Sequence, residues 1–183
     1  MKTRITWIGI LILLCTGCNM DTWDVYDEGD VIKTIDGDTV EVKTKGGRKY
    51  TVDLALIRTP IVEDPFGKQA IKVLQGYEDK WFDVEIRAEK QADGTYKGFV
   101  IDLMDNQANR DLVKEGLAIV KVEGKGLWSQ IEIDEYLAAQ EAAKKKKKGI
   151  WSIDGYVKND EFDTELANKV FAEKLAEEKR KKS

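Results

Sequence analysis

Five consecutive lysines, Lys144–Lys148, could bind the phosphates of a nucleic acid through their positive charges. They also fall at the end of a stretch with helical spacing, where positive charge complements the helix macrodipole. The second interpretation is favoured, because lysine-rich helix ends are common and the chain has a formal net charge of −4.

A second candidate group is the pair Asp36 and Asp38, which stand on either side of Gly37. Aspartate and glycine at this spacing favour a turn between two strands, whatever chemistry the carboxylates do. The chain contains no histidine. This absence excludes every histidine-based mechanism, including serine and cysteine triads and histidine-dependent phosphodiesterases.

The first 18 residues have the organisation of a bacterial export signal. Lys2 and Arg4 precede an apolar run of about ten residues, which is too short to span a bilayer. Both cysteines, Cys15 and Cys18, stand at its end, and Gly17 before Cys18 resembles a lipoprotein cleavage site. We therefore expect export and a lipid anchor on Cys18 at the extracytoplasmic side of the membrane. Simple secretion with cleavage nearby is the alternative.

Runs of alternating apolar and polar residues, together with helical spacings, predict a mainly β (α+β) fold with about three helices. The predicted strands cover residues 31–35, 39–44, 49–57, 81–88, 96–104 and 119–122. The predicted helices cover residues 66–77, 109–115 and 127–148, and a charged amphipathic helix follows from residue 158. Short strands with little potential for parallel crossovers indicate a small closed barrel with helices packed on it, and residues 119–122 could close its sheet.

Composition divides the chain into four segments. Residues 1–18 are the predicted lipoprotein signal peptide, and the acidic, aperiodic residues 19–29 suit a tether. Residues 30–155 form the predicted domain, and residues 156–183 form a charged amphipathic helical tail. Removal of the signal takes two basic residues and no acidic ones, so the net charge changes from −4 to −6. An acidic surface makes a protein or envelope partner more favourable than nucleic acid.

Five short motifs follow one another along the chain. They are Ile35-Asp36-Gly37-Asp38-Thr39, Leu56-Ile57-Arg58-Thr59-Pro60, Pro65-Phe66-Gly67-Lys68-Gln69-Ala70, Leu112-Val113-Lys114-Glu115-Gly116-Leu117-Ala118 and Gly149-Ile150-Trp151-Ser152. Their order and spacings resemble those of staphylococcal nuclease and its thermonuclease relatives, and the resemblance covers residues 30–155. The resemblance implies an OB-type five-stranded barrel with three helices. It also implies a family chemistry of calcium-dependent phosphodiester hydrolysis.

The resemblance places the family's functional positions on particular residues. The first calcium aspartate is present as Asp38, and the threonine beside the second metal ligand is present as Thr59. The other positions are changed. The second calcium aspartate falls on Arg58, the catalytic glutamate on Ile61, the arginine of the preceding strand on Asp53, and the second phosphate-binding arginine on or near Lys97.

These substitutions predict loss of the family mechanism. An arginine at a metal-ligand position removes an oxygen and adds a repelling charge, isoleucine accepts no proton, and an aspartate repels phosphate. We expect no cofactor, and calcium only if nuclease activity is retained. Asp53 and Arg58 have exchanged charge reciprocally, so we expect them to pair near Asp38. Glu63 and Asp64 could supply replacement oxygens if the loop were rearranged.

The leading expectation is a lipoprotein with a thermonuclease-like barrel that has lost catalysis and serves as a binding or interaction module. The competing expectation is a metal-dependent DNA or RNA nuclease with an altered site. A third is a surface exclusion or immunity lipoprotein of a mobile element, which is consistent with the size and anchor alone.

Overall fold

The computed structural model describes residues 24–78, 84–92, 94–123 and 128–182. The predicted signal peptide, residues 1–18, lies outside the described residues. The strands are β1 (Val25–Thr34), β2 (Thr39–Thr44), β3 (Lys49–Leu54), β4 (Ile57–Arg58), β5 (Val84–Lys90), β6 (Tyr96–Ile101), β7 (Ile119–Val120), β8 (Val157–Lys158) and β9 (Glu161–Phe162). The α-helices are α1 (Pro65–Gln75), α2 (Ala108–Lys114), α3 (Gln130–Lys145) and α4 (Thr164–Lys182), with 3-10 turns at Gly76–Glu78 and Gly149–Ser152.

Five strands close into a barrel in the order β1-β2-β3-β6-β5. Strands β3 and β6 run parallel, and the other neighbours are antiparallel. Successive side chains on a strand point to opposite faces, so alternate residues fill the interior. Those that are no more than 1% exposed include Val40, Val42, Val52, Leu54 and Ile86. The predicted mainly β fold with helices, built on a five-stranded barrel, is confirmed.

Strand β1 is longer than predicted and is shared between two neighbours. Residues 25–29 pair with β5, and residues 29–34 pair with β2. Both pairings meet at Gly29, where a Cβ atom would lie 2.2 Å from the carbonyl oxygen of Lys43, so a side chain does not fit. The predicted tether, residues 19–29, is therefore wrong for residues 25–29. Their acidic composition concealed the alternation of a strand.

The third predicted strand, residues 49–57, is broken at Leu56, whose φ of 65° turns the chain. The break separates β3 from β4, and β4 pairs with β7 outside the barrel, with Arg58 opposite Ile119. The prediction that residues 119–122 close the barrel sheet is therefore wrong. The barrel closes through its own five strands, and Arg58 lies on a separate two-stranded ladder.

Two buried polar side chains fasten helices to the rest of the domain. Asp64 accepts a hydrogen bond from the amide of Phe66 at 2.8 Å and so caps the N-terminus of α1. Asn109 of α2 donates to the carbonyl oxygens of Ala55 and Gly98 at 2.9 and 3.0 Å. Both side chains are 0% exposed. Buried hydrogen bonds of this kind are costly to leave unmade, so they hold both helices in place.

The residues after position 155 belong to the folded domain, which corrects the predicted separate tail. Tyr156 and Ala167 are fully buried, and the ring of Phe171 in α4 meets Phe66 of α1 edge-on at 5.3 Å. The buried face of α4 was hard to recognise because its few apolar residues are scattered among glutamates and lysines. No helix in the described part of the chain, α4 included, has the length and apolar character needed to cross a membrane.

Candidate functional site

The turn between β1 and β2 presents two carboxylates. The amide of Asp38 donates to Oδ1 of Asp36 at 3.1 Å, and the amide of Asp36 donates to the carbonyl of Thr39. A Cβ atom on Gly37 would lie 2.4 Å from Oγ1 of Thr59, so the turn packs directly against that threonine. The predicted turn is confirmed, and its glycine allows the close approach.

Asp38 joins this turn to the start of the following loop. Its carbonyl accepts from the amide of Leu54 at 2.7 Å, and its Oδ2 accepts from the amide of Thr59 at 2.7 Å. Burial raises the pKa of Asp38 to about 6, the charge of Asp36 acts in the same direction, and the bond from the Thr59 amide opposes them. A negative charge on Asp38 is therefore less favourable than on an ordinary aspartate.

Arg58 binds a residue that lies 103 positions later in the sequence. Its two terminal nitrogens donate to the two carboxylate oxygens of Glu161 at 2.9 and 2.8 Å, and one also donates to the carbonyl of Asp160 at 3.3 Å. The guanidinium lies 5.8 Å from the ring centre of Phe162. The hydrogen bonds that Arg58 donates to Glu161 raise the pKa of Arg58, and the same bonds lower the pKa of Glu161. The arginine is thus a fixed cation.

The β8–β9 hairpin places Glu161 beside Arg58. Its two turn residues, Asn159 and Asp160, both have positive φ, at 50° and 61°. Positive φ at both central positions matches the twist of the flanking strands, and asparagine and aspartate adopt it more readily than most residues. The hairpin rests on Tyr156, whose hydroxyl donates to Oδ2 of Asp64 at 2.7 Å. Local turn chemistry and a buried hydrogen bond together fix the position of Glu161.

The expected pair between Asp53 and Arg58 is wrong, since both terminal nitrogens of Arg58 bind Glu161. Asp53 instead accepts from a threonine hydroxyl of β2 at 3.3 Å and lies opposite Lys97 in the parallel β3–β6 register. The hypothesis treated residues 49–57 as one strand. The break at Leu56 puts the two residues on different sheets.

Lys97, the position of the second phosphate-binding arginine, lies in a group of paired charges. Its Nζ is 3.9 Å from the carboxylate of Glu123, which also binds Lys121 at 2.9 Å. The hydrogen bond from Lys121 lowers the pKa of Glu123, and the charges of Lys97 and Arg58 add to this effect. Each of these cations is therefore near a carboxylate of the same chain.

The loop after Thr59 carries the substituted catalytic position at its surface. Ile61 and Val62 are 61% and 44% exposed, and Glu63 is also exposed. These three residues line a cleft of about 290 Å³ together with Asp36, Asp38, Thr59 and Pro60. Asp64 does not line the cleft and is fully buried. Its two oxygens already accept hydrogen bonds, so it is not a source of replacement ligands.

The side chains at these positions do not fit a calcium ion. Calcium takes six to eight oxygen ligands, usually including several carboxylates. Within the described ranges, no group of three or more histidine, cysteine, aspartate or glutamate side chains is placed to hold a metal ion. Arg58 stands where the resemblance implies the second carboxylate, and its positive charge opposes a cation there.

The five lysines, Lys144–Lys148, lie at the end of a helix, which agrees with the interpretation favoured from the sequence. Helix α3 ends at Lys145, so the run coincides with its C-terminus. Lys144 binds Glu141 at 2.8 Å and lies 4.8 Å from the ring centre of Trp151. Lys148 binds Glu115 at 2.9 Å. These contacts are made within the chain and stabilise the end of a helix.

The closed five-stranded barrel with helices packed on it defines the class of the protein as an OB-type fold. A family model described as "Staphylococcal nuclease homologue" matches residues 51–153. A protein of Haemophilus influenzae named "Uncharacterized endonuclease" is 30% identical over 125 residues, which cover 67% of this chain and 65% of that protein. An uncharacterised protein of Bacillus anthracis is 30% identical over 138 residues, which cover 71% of this chain and 63% of that protein.

The chain belongs to the staphylococcal nuclease family, and the resemblance recognised in its motifs is confirmed. It spans just under two thirds of the length of these two relatives. Sequence reasoning missed the contributions of Tyr156 and Glu161, which follow the matched segment. Asn159-Asp160 between short β-prone residues was the available signal for a hairpin, but it was assigned to a helical tail.

Proposed function

We propose that this protein is a catalytically degenerate member of the staphylococcal nuclease family that acts as an extracytoplasmic binding module. A lipid on Cys18 would hold it at the membrane. The observation that supports this function most directly is the bidentate pair of Arg58 with Glu161 at a family metal-ligand position. The arginine supplies no ligand oxygen, and its positive charge opposes a cation at this position.

The charges of the substituted positions support the same proposal. Two unit charges 4 Å apart interact by about 4 kcal/mol at an effective dielectric of about 20, and a divalent ion doubles the repulsion from Arg58. Asp53 repels phosphate where the family has an arginine. Ile61 cannot accept a proton from an attacking water. The net charge of −4 favours a protein or envelope partner over nucleic acid.

A nuclease with a noncanonical site is the competing function. The relative from Haemophilus influenzae is named an endonuclease, and three carboxylates, from Asp36, Asp38 and Glu63, line the cleft. Catalysis there would need a different metal arrangement from the family's. This function and the binding function differ in one measurable property, which is hydrolysis of phosphodiesters.

The test is incubation of the purified chain with single-stranded DNA, duplex DNA and RNA, in calcium, magnesium or manganese and in chelator. We expect no cleavage above that of a mock purification and no metal-dependent rise in Tm. Chelator-sensitive cleavage that disappears in Asp38→Asn would overturn the proposal. The Asp38→Asn variant also identifies a contaminating nuclease, because cleavage by an unrelated enzyme would not depend on Asp38.

A restoration variant tests whether the substituted positions account for the missing activity. It combines Arg58→Asp, Asp53→Arg and Ile61→Glu with Glu161→Gln, since an aspartate at position 58 would otherwise face the carboxylate of Glu161. Recovered calcium-dependent cleavage would support degeneracy at these positions. The matched control is Glu161→Gln alone, for which we expect no cleavage.

The anchor is tested by metabolic labelling with a radioactive fatty acid. We expect label in the full chain and in Cys15→Ser, and none in Cys18→Ser. Label that persists in Cys18→Ser, or a chain that stays in the cytoplasmic fraction, would contradict the proposed anchor. Cys15 is a close control because it lies three residues away in the same segment.

A further inference from the structure

We infer that the cleft beside Asp38 is a docking site for a lysine or arginine side chain of a basic, partly apolar protein segment. This inference rests on the proposed binding function and gives its partner a chemical class. The acidic cleft is defined as the 290 Å³ cleft lined by Asp36, Asp38, Thr59, Pro60, Ile61, Val62 and Glu63. The resemblance places the family's catalytic centre here. The family's substrate is an anionic phosphodiester, whereas the side chains of this cleft favour a cationic group.

Exposed apolar side chains form one part of the acidic cleft. Ile61 is 61% exposed and Val62 is 44% exposed, and both follow Pro60 on the same loop. Ile35, one residue before Asp36, is 45% exposed. A single exposed apolar residue is ordinary, whereas neighbouring ones beside a concave surface mark a contact area. A partner that covers Ile61 and Val62 would remove apolar surface from water.

Uncompensated negative charge forms the other part. Three of the lining residues are acidic, and no lining residue is basic. Among the described residues, Asp36 and Glu63 make no salt bridge. The nearest cation along the chain is Arg58, which Glu161 already neutralises in a bidentate pair. The lining of the acidic cleft is therefore negatively charged, with three carboxylates and no cation among its residues.

Charge complementarity selects one class of occupant. A phosphate group would meet three carboxylates and be repelled, and the described carboxylates are not arranged as a metal-binding group. A lysine or arginine side chain has an apolar stem and a cationic head, which match the apolar lining residues Pro60, Ile61 and Val62 and the carboxylates that line the same cleft. Electrostatic complementarity of this kind sets specificity and speeds association. The occupant is therefore a basic segment of another protein.

The experiment measures binding of a fluorescent eight-residue peptide of alternating leucine and lysine to the full chain by anisotropy. A peptide of alternating leucine and glutamate is the reference probe. We expect saturable binding of the lysine peptide and none of the glutamate peptide. We expect Ile61→Ser and Glu63→Gln each to weaken binding by about fivefold, because both remove part of the contact without touching the core.

Two matched controls separate docking from general attraction to an acidic protein. Ile131→Ser changes an isoleucine that is 73% exposed on α3, and Glu173→Gln removes one exposed negative charge on α4. Each should change affinity by less than about twofold. Absence of saturable binding, equal losses in the controls, or equal binding of the glutamate peptide would overturn the inference. Circular dichroism checks that every variant is folded.

The outcomes also separate this inference from the proposed function. A chain that cleaves no nucleic acid and does not bind the lysine peptide would retain the degenerate-nuclease proposal and lose the docking site. A chain that cleaves DNA with dependence on Asp38 would lose the proposed function, whatever the peptide does. Peptide binding that requires Ile61 and Glu63, in a chain without hydrolysis, supports both.

Discussion

Two side-chain contacts join the residues on either side of the loop 59–63 to the C-terminal segment, residues 156–182. They are the buried tie, Asp64 with Tyr156, and the exposed tie, Arg58 with Glu161. On one side, Asp64 is 0% exposed and accepts from the hydroxyl of Tyr156 at 2.7 Å. On the other, the side chains of Arg58 and Glu161 are 35% and 68% exposed and pair through two hydrogen bonds. Buried hydrogen bonds to charged groups contribute strongly to stability, whereas exposed ion pairs contribute little.

The contact that helps to hold the fold and the contact that pairs the charge of Arg58 are therefore separate. The buried tie joins the cap of α1 to the start of the C-terminal segment, and the domain depends on it. The exposed tie pairs the charge of Arg58 with that of Glu161 at the surface. Each tie has one residue inside the matched family segment and one after it, so the C-terminal segment takes part in both. Substitutions at the two ties should therefore have unequal effects.

The largest effect is expected from Asp64→Ala, which removes the cap of α1 and leaves the hydroxyl of Tyr156 buried without its acceptor. Loss of an N-cap costs about 0.5–2 kcal/mol, and an orphaned buried hydroxyl about 1–3 kcal/mol. We expect a total near 4 kcal/mol, measured by urea denaturation. Asp154→Ala, at a side chain that is 90% exposed, is the control. A loss below about 1 kcal/mol would show that the buried tie does not hold the fold.

The next effect is expected from Tyr156→Phe, which keeps the aromatic contacts with Phe66 and Phe162 and removes only the hydroxyl. A hydrogen bond to a charged group contributes about 1.5–3 kcal/mol, so we expect a loss of about 2 kcal/mol. Tyr26→Phe removes a hydroxyl that donates to Glu85 at the surface and is the matched control. Equal unfolding free energies for the two variants would contradict the ranking of the ties.

Asp38→Asn should stabilise the domain in a pH-dependent way. The carboxyl of Asp38 has its pKa raised from 3.8 to about 6 in the folded chain, so the folded state holds the proton more tightly than the unfolded state. Stability of the wild type therefore falls as pH rises from about 4 to 6, and the cost is fully present above that window. At 1.36 kcal/mol per pKa unit the upper limit is about 3 kcal/mol.

We expect a smaller gain of about 1.5 kcal/mol for Asp38→Asn at pH 7, because water still reaches part of this side chain. The asparagine oxygen can still accept from the amide of Thr59. The gain should shrink as the pH falls towards 4 and approach zero below about pH 3, where the wild-type carboxyl is protonated in both states. Denaturation curves at pH 4, 5, 6 and 7 measure it, and a gain that does not change with pH would refute the assigned cause.

The smallest effect on stability is expected from Glu161→Gln. The glutamate is exposed, so its removal should shift Tm by no more than about 2 °C. Glu165→Gln, at an exposed position of α4, is the control. The shift should vanish in 1 M salt, because exposed pairs are screened. A Tm loss as large as that of Tyr156→Phe would show that the exposed tie also holds the fold.

The barrel could be predicted from the sequence because its signals are local. Alternating residues such as Val40 and Val42 identify a strand, and Pro65 followed by helical spacing identifies α1. The start of β1 was missed because acidic residues cover its outer face. The break at Leu56 was missed because a non-glycine residue with positive φ leaves no sequence signal.

The site could be predicted only in part, and the reason is sequence distance. Asp38 and Thr59 lie in two of the recognised motifs, and the structure brings them together through a hydrogen bond of 2.7 Å. The partner of Arg58 lies 103 residues away. No local pattern links the two positions, because their contact depends on how α4 and the preceding hairpin return to the barrel. Charge reversal at Arg58 was visible in the sequence, but its compensation was not.

The start of strand β1 would limit how far the domain stands from a membrane if the proposed lipid is attached to Cys18. It begins at Val25, seven residues after Cys18. A fully extended chain advances at most about 3.3–3.6 Å per residue, so a lipid on Cys18 would keep the first strand within about 25 Å of the bilayer surface. A domain of this size has a radius of gyration of about 15 Å. The maximum distance between Cys18 and the first strand is thus shorter than the width of the domain. A partner of the anchored protein would have to lie in the layer next to the membrane.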